Sequence, residues 1–513
     1  MITLYGSGWN REPNDTLHKR ALQLAAKDAT IWGDSAHAEA QHRLNWISLP
    51  ETSRELLPQL DALAAWARER ELTEVILCGM GGSSLAPEVI AKTYGKKLLV
   101  IDSTDPDYIR HVLPSSLRNC VVVIGSKSGT TVETTSHLKL FHHLFESQGL
   151  RPDDHMVIVT DPQSPLDTVA RTAGYRIINA DPDVGGRFSA LSAFGLTPSA
   201  LLGIDVSILL DDAYESAADF IRQDSPVIFA TQTLAQLRYL SFTDEKSTLH
   251  GLSDWVEQLI AESTGKSGKG ILPVIVENRE DAHSLPVVTF NQAGALSVDG
   301  ALGSQFIFWE WVTALIGSEL SIDPFNQPNV AEAKEQTNVL LHRWQEKKTP
   351  PTDRLGTPSF IENTIEVFSA SGDQSIAGVL ASLFHRVPDD GYVAILAYLN
   401  RCSDFDAASL REKIATLTNR PTTFGWGPRF LHSTGQFHKG GPLVGGFILI
   451  TGEPHETIEI PGSGYDFQAL ITAQALGDLA ALRSRGLPVV HFHLRNREAG
   501  IMYLHHVVDS LNP

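Results

Sequence analysis

Two loops rich in glycine and hydroxyl residues are the parts of this 513-residue sequence best equipped for chemistry. The first is Gly79-Met80-Gly81-Gly82-Ser83-Ser84, which ends an apolar run and precedes a helical pattern. Small residues let a backbone approach a ligand closely, and a helix N-terminus offers an anion free N–H groups and positive dipole. The spacing is near a dinucleotide fingerprint, with Asp102 placed as a ribose-binding acid would be, yet Ser84 stands where the third glycine belongs. A plain tight strand-to-helix turn would use the same residues. The second loop, Gly125-Ser126-Lys127-Ser128-Gly129-Thr130-Thr131, sets four hydroxyls and an ammonium before a helical stretch. A helix cap needs one hydroxyl, whereas a phosphate monoester dianion would use them all. Two such loops on neighbouring strands favour a small phosphorylated ligand over a nicotinamide dinucleotide. Gly265-Lys266-Ser267 is not a Walker A loop, because Ile260 occupies the position that requires glycine.

Further along, charged residues stand in costly places. Residues 252–266 predict a helix that stops at Gly265, with Gln258 and Glu262 four apart on one face. In the last turn the dipole disfavours negative charge and is expected to raise the Glu262 pKa, which suits a general base. The alternative is a solvated glutamate paired with Lys266. Arg187 follows a Gly-Gly turn and precedes an almost uncharged stretch, so it needs an anion, either a ligand or a structural partner. Residues 323–334 form a turn feeding a helix and carry Gln327 and Lys334. A glycine-rich segment, 425–441, holds His432 and His438. The histidine pairs at 142–143, 491 with 493, and 505–506 lack grouped acidic or cysteine partners and predict structural roles, with no metal site.

The elements that must position these groups follow from pattern. Residues 15–70 show helical spacing of apolar residues. Short apolar runs at 75–78, 98–101, 120–124 and 156–160 then alternate with helix-length segments, which predicts a parallel sheet covered on both faces. In such sheets ligands bind beyond the carboxyl ends of the strands, where both loops lie. Helices are expected at 211–223, 227–240 and 252–262 with strands at 271–276 and 287–290. From about 346 the pattern turns α/β again, with strands at 392–399, 446–451 and 489–494 and a helix at 467–485; the polar stretch 346–357 is the expected linker. The expected organisation is a helical segment (1–50), two units (51–205 and 206–345) and a C-terminal α/β region (346–513). The 41 basic and 60 acidic side chains leave a formal net charge of −19, which argues against a nucleic-acid binder. Three cysteines without a CxxC pair, an N-terminus without a signal-peptide pattern and no spanning-length apolar stretch predict a cytoplasmic, membrane-free setting.

Taken in order, Gly79–Ser84, Ser126–Thr131, the 184–189 segment around Arg187, Gln258 with Glu262 through Lys266, and Phe325 through Lys334 resemble the phosphoglucose isomerase family, built on sugar-isomerase (SIS) domains. The 425–441 segment resembles the isomerase half of bacterial transaldolase–phosphoglucose isomerase fusions. The resemblance implies an α/β fold of two SIS-type doubly wound parallel-sheet domains (αβα sandwiches) plus the C-terminal α/β region. It implies interconversion of glucose 6-phosphate and fructose 6-phosphate through a cis-enediol. By this likeness Gly82, Ser83, Ser126, Lys127, Ser128 and Thr131 hold the phosphate with Gln327, and Gln258 positions the substrate. Glu262 moves the proton between C2 and C1, Arg187 stabilises the enediolate, and Lys334 with a histidine opens the sugar ring. His438 is the expected histidine, with His432 in reserve. The likeness implies no metal or other cofactor, a small-molecule sugar phosphate as the only ligand, and a homodimer. An isomerase of another phosphosugar and a non-catalytic SIS-domain sensor are the competing readings.

Overall fold

The computed structural model describes residues 1–347 and 353–511. The first sheet shows why its strands are continuously apolar. Following a short N-terminal strand, β1 (Thr3–Tyr5), the chain forms β2 (Glu74–Gly79), β3 (Leu98–Ile101), β4 (Cys120–Gly125), β5 (Met156–Thr160) and β6 (Arg176–Asn179). These pair in the order β3-β2-β4-β5-β6, all parallel. Alternate side chains of one strand enter different cores. Val75 and Leu77 pack with Leu63 and Phe194, while Ile76 and Cys78 pack with Phe141 and Leu166 on the other face. Burial on both faces is what a period-2 polar pattern would forbid. Because β3 lies on one side of β2 and β4 on the other, the strand order reverses between β2 and β4. A crevice opens at that point beyond the carboxyl ends of the strands, and both hydroxyl-rich loops leave from there.

The second sheet contains β7 (Tyr239–Thr243), β8 (Leu272–Ile275), β9 (Val287–Phe290) and β10 (Leu296–Asp299), in the order β1-β10-β9-β7-β8. Only β1 is antiparallel there, so the expected helical segment 1–50 also contributes an edge strand. Residues 15–70 are helical in pieces, broken by 3-10 turns, and end in the helix Leu57–Glu69. The core of this half is the helix Leu302–Leu320, buried from Leu302 through Ser318 and therefore apolar on every side. Among the described residues no helix is long and apolar enough to cross a membrane.

Two expected helices differ from the structure. The predicted helix 227–240 ends at Leu234, and 239–243 is the strand β7. Leu234, Leu237 and Leu240 mimic helical spacing, but Leu240 through Thr243 are all buried in the middle of the sheet, and tertiary burial overrides the pattern. The helix expected at 211–223 runs over Ser207–Ala217.

The third sheet is mixed: β11 (Phe360–Glu362), β12 (Ile365–Phe368), β13 (Tyr392–Tyr398), β14 (Thr422–Trp426), β15 (Gly445–Gly452) and β16 (Val489–Leu494), in the order β11-β12-β16-β15-β13-β14. β13 through β16 are mutually parallel, and the β11–β12 hairpin adds antiparallel to β16. Between β14 and β15 lie a 3-10 turn, Arg429–His432, and the short helix Gly435–Gly440. Of the expected linker 346–357, residues 346–347 belong to the end of the helix Ala331–Lys347, and residues 348–352 lie outside the described residues.

Candidate active site

The helix Leu252–Thr264 carries Gln258 and Glu262 and is fixed at both ends. At its start Asp244, just past β7, accepts from the Gly251 and Ser253 N–H groups at 2.6 and 3.1 Å and from the Ser253 hydroxyl at 2.7 Å. At its end Gly265 lets the helix Gly435–Gly440 come close, since a Cβ on Gly265 would lie 2.3 Å from the Phe437 Cα. One wall of a cavity of about 590 Å³ is thereby set, and the two hydroxyl-rich loops form the opposite wall. A pocket of this size suits a small metabolite.

Glu262 does not pair with Lys266, so the solvated-glutamate alternative fails. Its Oε1 lies 3.2 Å from Arg187 Nη1, and its Oε2 accepts from Gln258 Nε2 at 3.1 Å. The Lys266 ammonium, 3% exposed, instead donates to the Asp323 and Asn326 carbonyls at 2.6 and 2.5 Å. Arg187 is equally enclosed. Its guanidinium donates to Ser263 Oγ (2.8 Å), Gln327 Oε1 (3.1 Å), the Pro324 carbonyl (2.6 Å) and the Asn326 carbonyl (2.9 Å). Burial lowers its pKa, while the carboxylates of Glu262 and Asp323 oppose that shift. Two cations thus staple the 323–327 turn to the end of the helix, which puts Gln327 on the cavity wall.

In the hydroxyl-rich loops, Gly82 is required by close approach: a Cβ there would sit 1.9 Å from the Gly186 carbonyl oxygen. Gly82, Ser83, Ser126, Lys127, Ser128 and Thr131 all line the cavity. The helices that follow, Leu85–Thr93 and Val132–Ser147, start at Ser84 and Thr131 without a side-chain cap. The hydroxyls therefore do not cap these helices; within the second loop Ser126 Oγ and Ser128 Oγ accept from the Gly129 and Thr130 N–H groups at 3.2 and 3.3 Å. Ser126 Oγ lies 3.1 Å from Thr131 Oγ1. Lys127 is turned away from these hydroxyls, its ammonium donating to Asp161 at 2.5 Å and to the Pro182 carbonyl at 2.8 Å. Lys334, in the first turn of the helix Ala331–Lys347, also lines the cavity and has no ion-pair partner among the described residues.

The histidine expectation needs correction. His438 does not reach the cavity. It is 1% exposed, its Nδ1 is hydrogen-bonded to the Tyr392 hydroxyl at 3.0 Å, and its ring stacks on Tyr392 at 5.6 Å. Burial pushes its pKa down to about 3, because the charged form has no partner there. The helix Gly435–Gly440 turns this side chain into the core beneath β13 and β15. His432, in the preceding turn, lines the cavity instead, with Nε2 3.2 Å from Glu133 Oε1 and its backbone carbonyl accepting from Gln258 Nε2 at 2.8 Å.

Glu133, the partner of His432, is a residue that sequence reasoning missed. It is 3% exposed and also accepts from Gln474 at 2.8 Å. Burial raises its pKa, but the hydrogen bond and charge of His432 and the charge of Lys334 outweigh that and hold it down at about 2. Its place directly after the second loop, in the first turn of a helix, was the available signal. Gln474 comes from 341 residues away, and no local pattern announces it.

The comparisons with known proteins bear on this arrangement. The family model for phosphoglucose isomerase matches residues 56–271, a stretch that holds both loops, Arg187, Gln258 and Glu262 and stops short of Gln327, Lys334 and His432. The glucose-6-phosphate isomerase of Citrifermentans bemidjiense is 33% identical over 454 residues, 66% of this chain and 85% of that protein. The probable glucose-6-phosphate isomerase of Haloarcula marismortui is 31% identical over 263 residues, 48% of this chain; the match spans 60% of that protein's length. A crystal structure of a glucose-6-phosphate isomerase from Chlamydia trachomatis is similar in fold, with a TM-score of 0.53, 19% identity, and coverage of 64% of this chain and 84% of that one.

Proposed function

Because the chain belongs to the phosphoglucose isomerase family, we propose that it is a glucose-6-phosphate isomerase, interconverting glucose 6-phosphate and fructose 6-phosphate through a cis-enediol. One observation carries the reading: the Glu262 carboxylate, held by Gln258 and Arg187, faces two glycine- and hydroxyl-rich loops across a single cavity. Aldose–ketose isomerisation needs those two features and little else. One base accepts a proton from one carbon and returns it to the next, and a remote phosphate grip orients the reacting carbons.

Glu262 is the base, and the Arg187 guanidinium beside it stabilises the enediolate oxygen. Ser83, Ser126, Ser128 and Thr131, the backbone N–H groups of the loops and Gln327 hold the phosphate. Lys127 contributes charge from its place on Asp161. Ring opening falls to His432 and Lys334. With Nε2 directed at Glu133, Nδ1 is the nitrogen left to exchange a proton with the ring oxygen, and the carboxylate stabilises the imidazolium that forms, the role an orienting acid has in a triad. His432 comes from the same chain as Glu262, so this reading does not require a partner subunit to lend the histidine.

The test is turnover of glucose 6-phosphate and fructose 6-phosphate beside mannose and glucosamine phosphates, run in deuterated water. Interconversion of the first pair with deuterium appearing at C2 and C1 is the expected result. Preferential turnover of another phosphosugar would reassign the substrate. Binding without turnover of any would leave a sensor.

A further inference from the structure

Arg429 stands three residues before His432 and points away from the cavity. Its side chain, 13% exposed, is the hub of an ion network joining four separate parts of the chain. Nη1 donates to Glu88 Oε2 at 2.8 Å, on the helix Leu85–Thr93 that follows the first phosphate loop. The same nitrogen donates to Asp102 Oδ2 at 2.9 Å, at the end of β3, and Nη2 lies 3.6 Å from Asp254, in the first turn of the helix that ends with Glu262. Arg401 completes the network, with Nη2 3.5 Å from the other Asp102 oxygen. Burial raises the Glu88 pKa, but Arg429, Arg401 and Lys92 together hold it well below the usual carboxylate range, and the same acids raise that of Arg429. Glu88 and Arg429 each favour the charged form of the other.

The register along the helix Leu252–Thr264 gives this arrangement its meaning. Asp254, Gln258 and Glu262 are spaced four apart and share one face. Asp254 meets Arg429 at the start of the 3-10 turn, Gln258 Nε2 holds the His432 carbonyl at its end, and Glu262 faces the cavity. One helix edge thus measures the distance between the two groups that open the ring and move the proton. The middle of this four-residue turn is anchored by Phe430 and Leu431, buried in the core with Tyr398 and Phe437, while its two ends are held by polar contacts, Arg429 to the carboxylates and the His432 carbonyl to Gln258. On its outer side Arg429, Phe430 and Ser433 line a second cavity, of about 730 Å³.

We propose that Arg429 is the positioning residue for His432, clamping the 429–432 turn to Glu88, Asp102 and Asp254 so that the imidazole is held against Glu133 and in register with Glu262. This rests on the reading of His432 as the ring-opening group. A planar guanidinium is suited to the task, since its nitrogens reach three carboxylates in fixed directions, which a lysine ammonium at the end of a flexible stem cannot do.

The test compares Arg429→Lys, Asp254→Asn, His432→Asn and the double variant Arg429→Lys/His432→Asn on two substrates. One is glucose 6-phosphate, which must be opened. The other is an aldose phosphate unable to close a ring because its one suitable hydroxyl is phosphorylated. Displacing a positioned group by about an ångström costs roughly 100-fold. Arg429→Lys is expected to lower kcat on the ring substrate about 10- to 100-fold with KM changed less than about threefold, and to change the open-chain rate less than about threefold. Asp254→Asn, near the network's solvent side, moves the ring substrate in the same direction by a smaller factor, and it carries the test if the Arg429 variant does not fold. The double variant should be no slower on the ring substrate than His432→Asn, because there is then no imidazole left to position. Equal losses on both substrates, or losses that multiply in the double variant, would overturn the proposal and reduce the network to a structural one. If His432→Asn itself slows both substrates equally, the ring-opening assignment is what fails, and Arg429 falls with it.

Discussion

Replacing Glu262 by glutamine is the sharpest perturbation the site admits, because its two consequences separate. The amide keeps the shape of the carboxylate but has one acceptor where the carboxylate has two. Both present partners are donors, Arg187 Nη1 at 3.2 Å and Gln258 Nε2 at 3.1 Å. One of these contacts must therefore become donor facing donor. Stripping one member from a buried ion pair costs about 3–5 kcal/mol when the other charge is left alone. Arg187 is not left alone, since Ser263, Gln327, Pro324 and Asn326 still accept from it. The loss is then nearer that of one charge-assisted hydrogen bond, about 1.5–3 kcal/mol. The fold should survive it.

The effect on chemistry is larger. A positioned general base contributes about 10²- to 10⁴-fold, equivalent to roughly 2.7–5.4 kcal/mol of barrier. The variant should lose about 10³-fold in kcat while KM for fructose 6-phosphate moves less than about threefold, since the phosphate loops on the opposite wall are untouched. Coupled turnover of fructose 6-phosphate gives both constants, deuterium wash-in at C2 reports the proton transfer itself, and circular dichroism confirms that the variant is folded. A folded variant with kcat within tenfold of the parent would remove Glu262 as the base. A large rise in KM at unchanged kcat would instead make it a binding group.

Two further outcomes follow from the histidines and their acid. His438→Asn should leave kcat on glucose 6-phosphate within about threefold while lowering stability by about 1–3 kcal/mol, through the lost Tyr392 hydrogen bond and stacking, as read by urea unfolding beside steady-state kinetics. Glu133 has a folded pKa of about 2 against an ordinary value of 4.5, so its contribution is fully present above the ordinary carboxylate range and is lost as pH falls through 4.5 towards 2. The difference is worth about 3 kcal/mol. Glu133→Gln should therefore flatten the dependence of unfolding free energy on pH between about 5 and 3, and an unchanged slope would mean that the carboxylate is not held ionised by His432 and Lys334.

What could be read in the sequence and what could not divide along a physical line. The strands of the first sheet and the loops that leave them are local: an apolar run, a glycine or serine, then a helix pattern, each legible within about ten residues. Glu262 and Gln258 are legible for the same reason, as neighbours on one helix face. β7 was illegible because a central strand buried on both faces has no alternation, and its one leucine, Leu240, falls at helical spacing with those before it. The choice between His432 and His438 depended on which of two short helical turns faces the cavity. Six residues separate them, one in a 3-10 turn and one in a following helix, and no periodicity extends across that break. Glu133 with Gln474, and Arg429 with Asp102, are pairs made by docking one sheet against another. Their partners lie more than 300 residues apart, and composition carries no trace of them.

The charge of the chain gains a different meaning at the cavity. Within a chain of net charge −19, the cavity is lined by Arg43, Lys127, Arg187 and Lys334 against Asp161, Asp183 and Glu262, a local excess of one cation. Lys127 is engaged by Asp161, Arg187 by Glu262 and Arg43 by Glu39, which leaves Lys334 as the unpaired cation lining it among the described residues. A phosphate dianion must then be held chiefly by neutral donors, the loop hydroxyls and the N–H groups of two uncapped helix starts. This economy matches the chemistry. Cations crowded around a carboxylate favour its charged form and weaken it as a proton acceptor, so a site that gripped phosphate with several free lysines would blunt its own base. Under the proposed function, neutral donors aimed at the far end of the substrate would bind the anion without that cost, and the Arg187 guanidinium beside Glu262 would meet the enediolate charge.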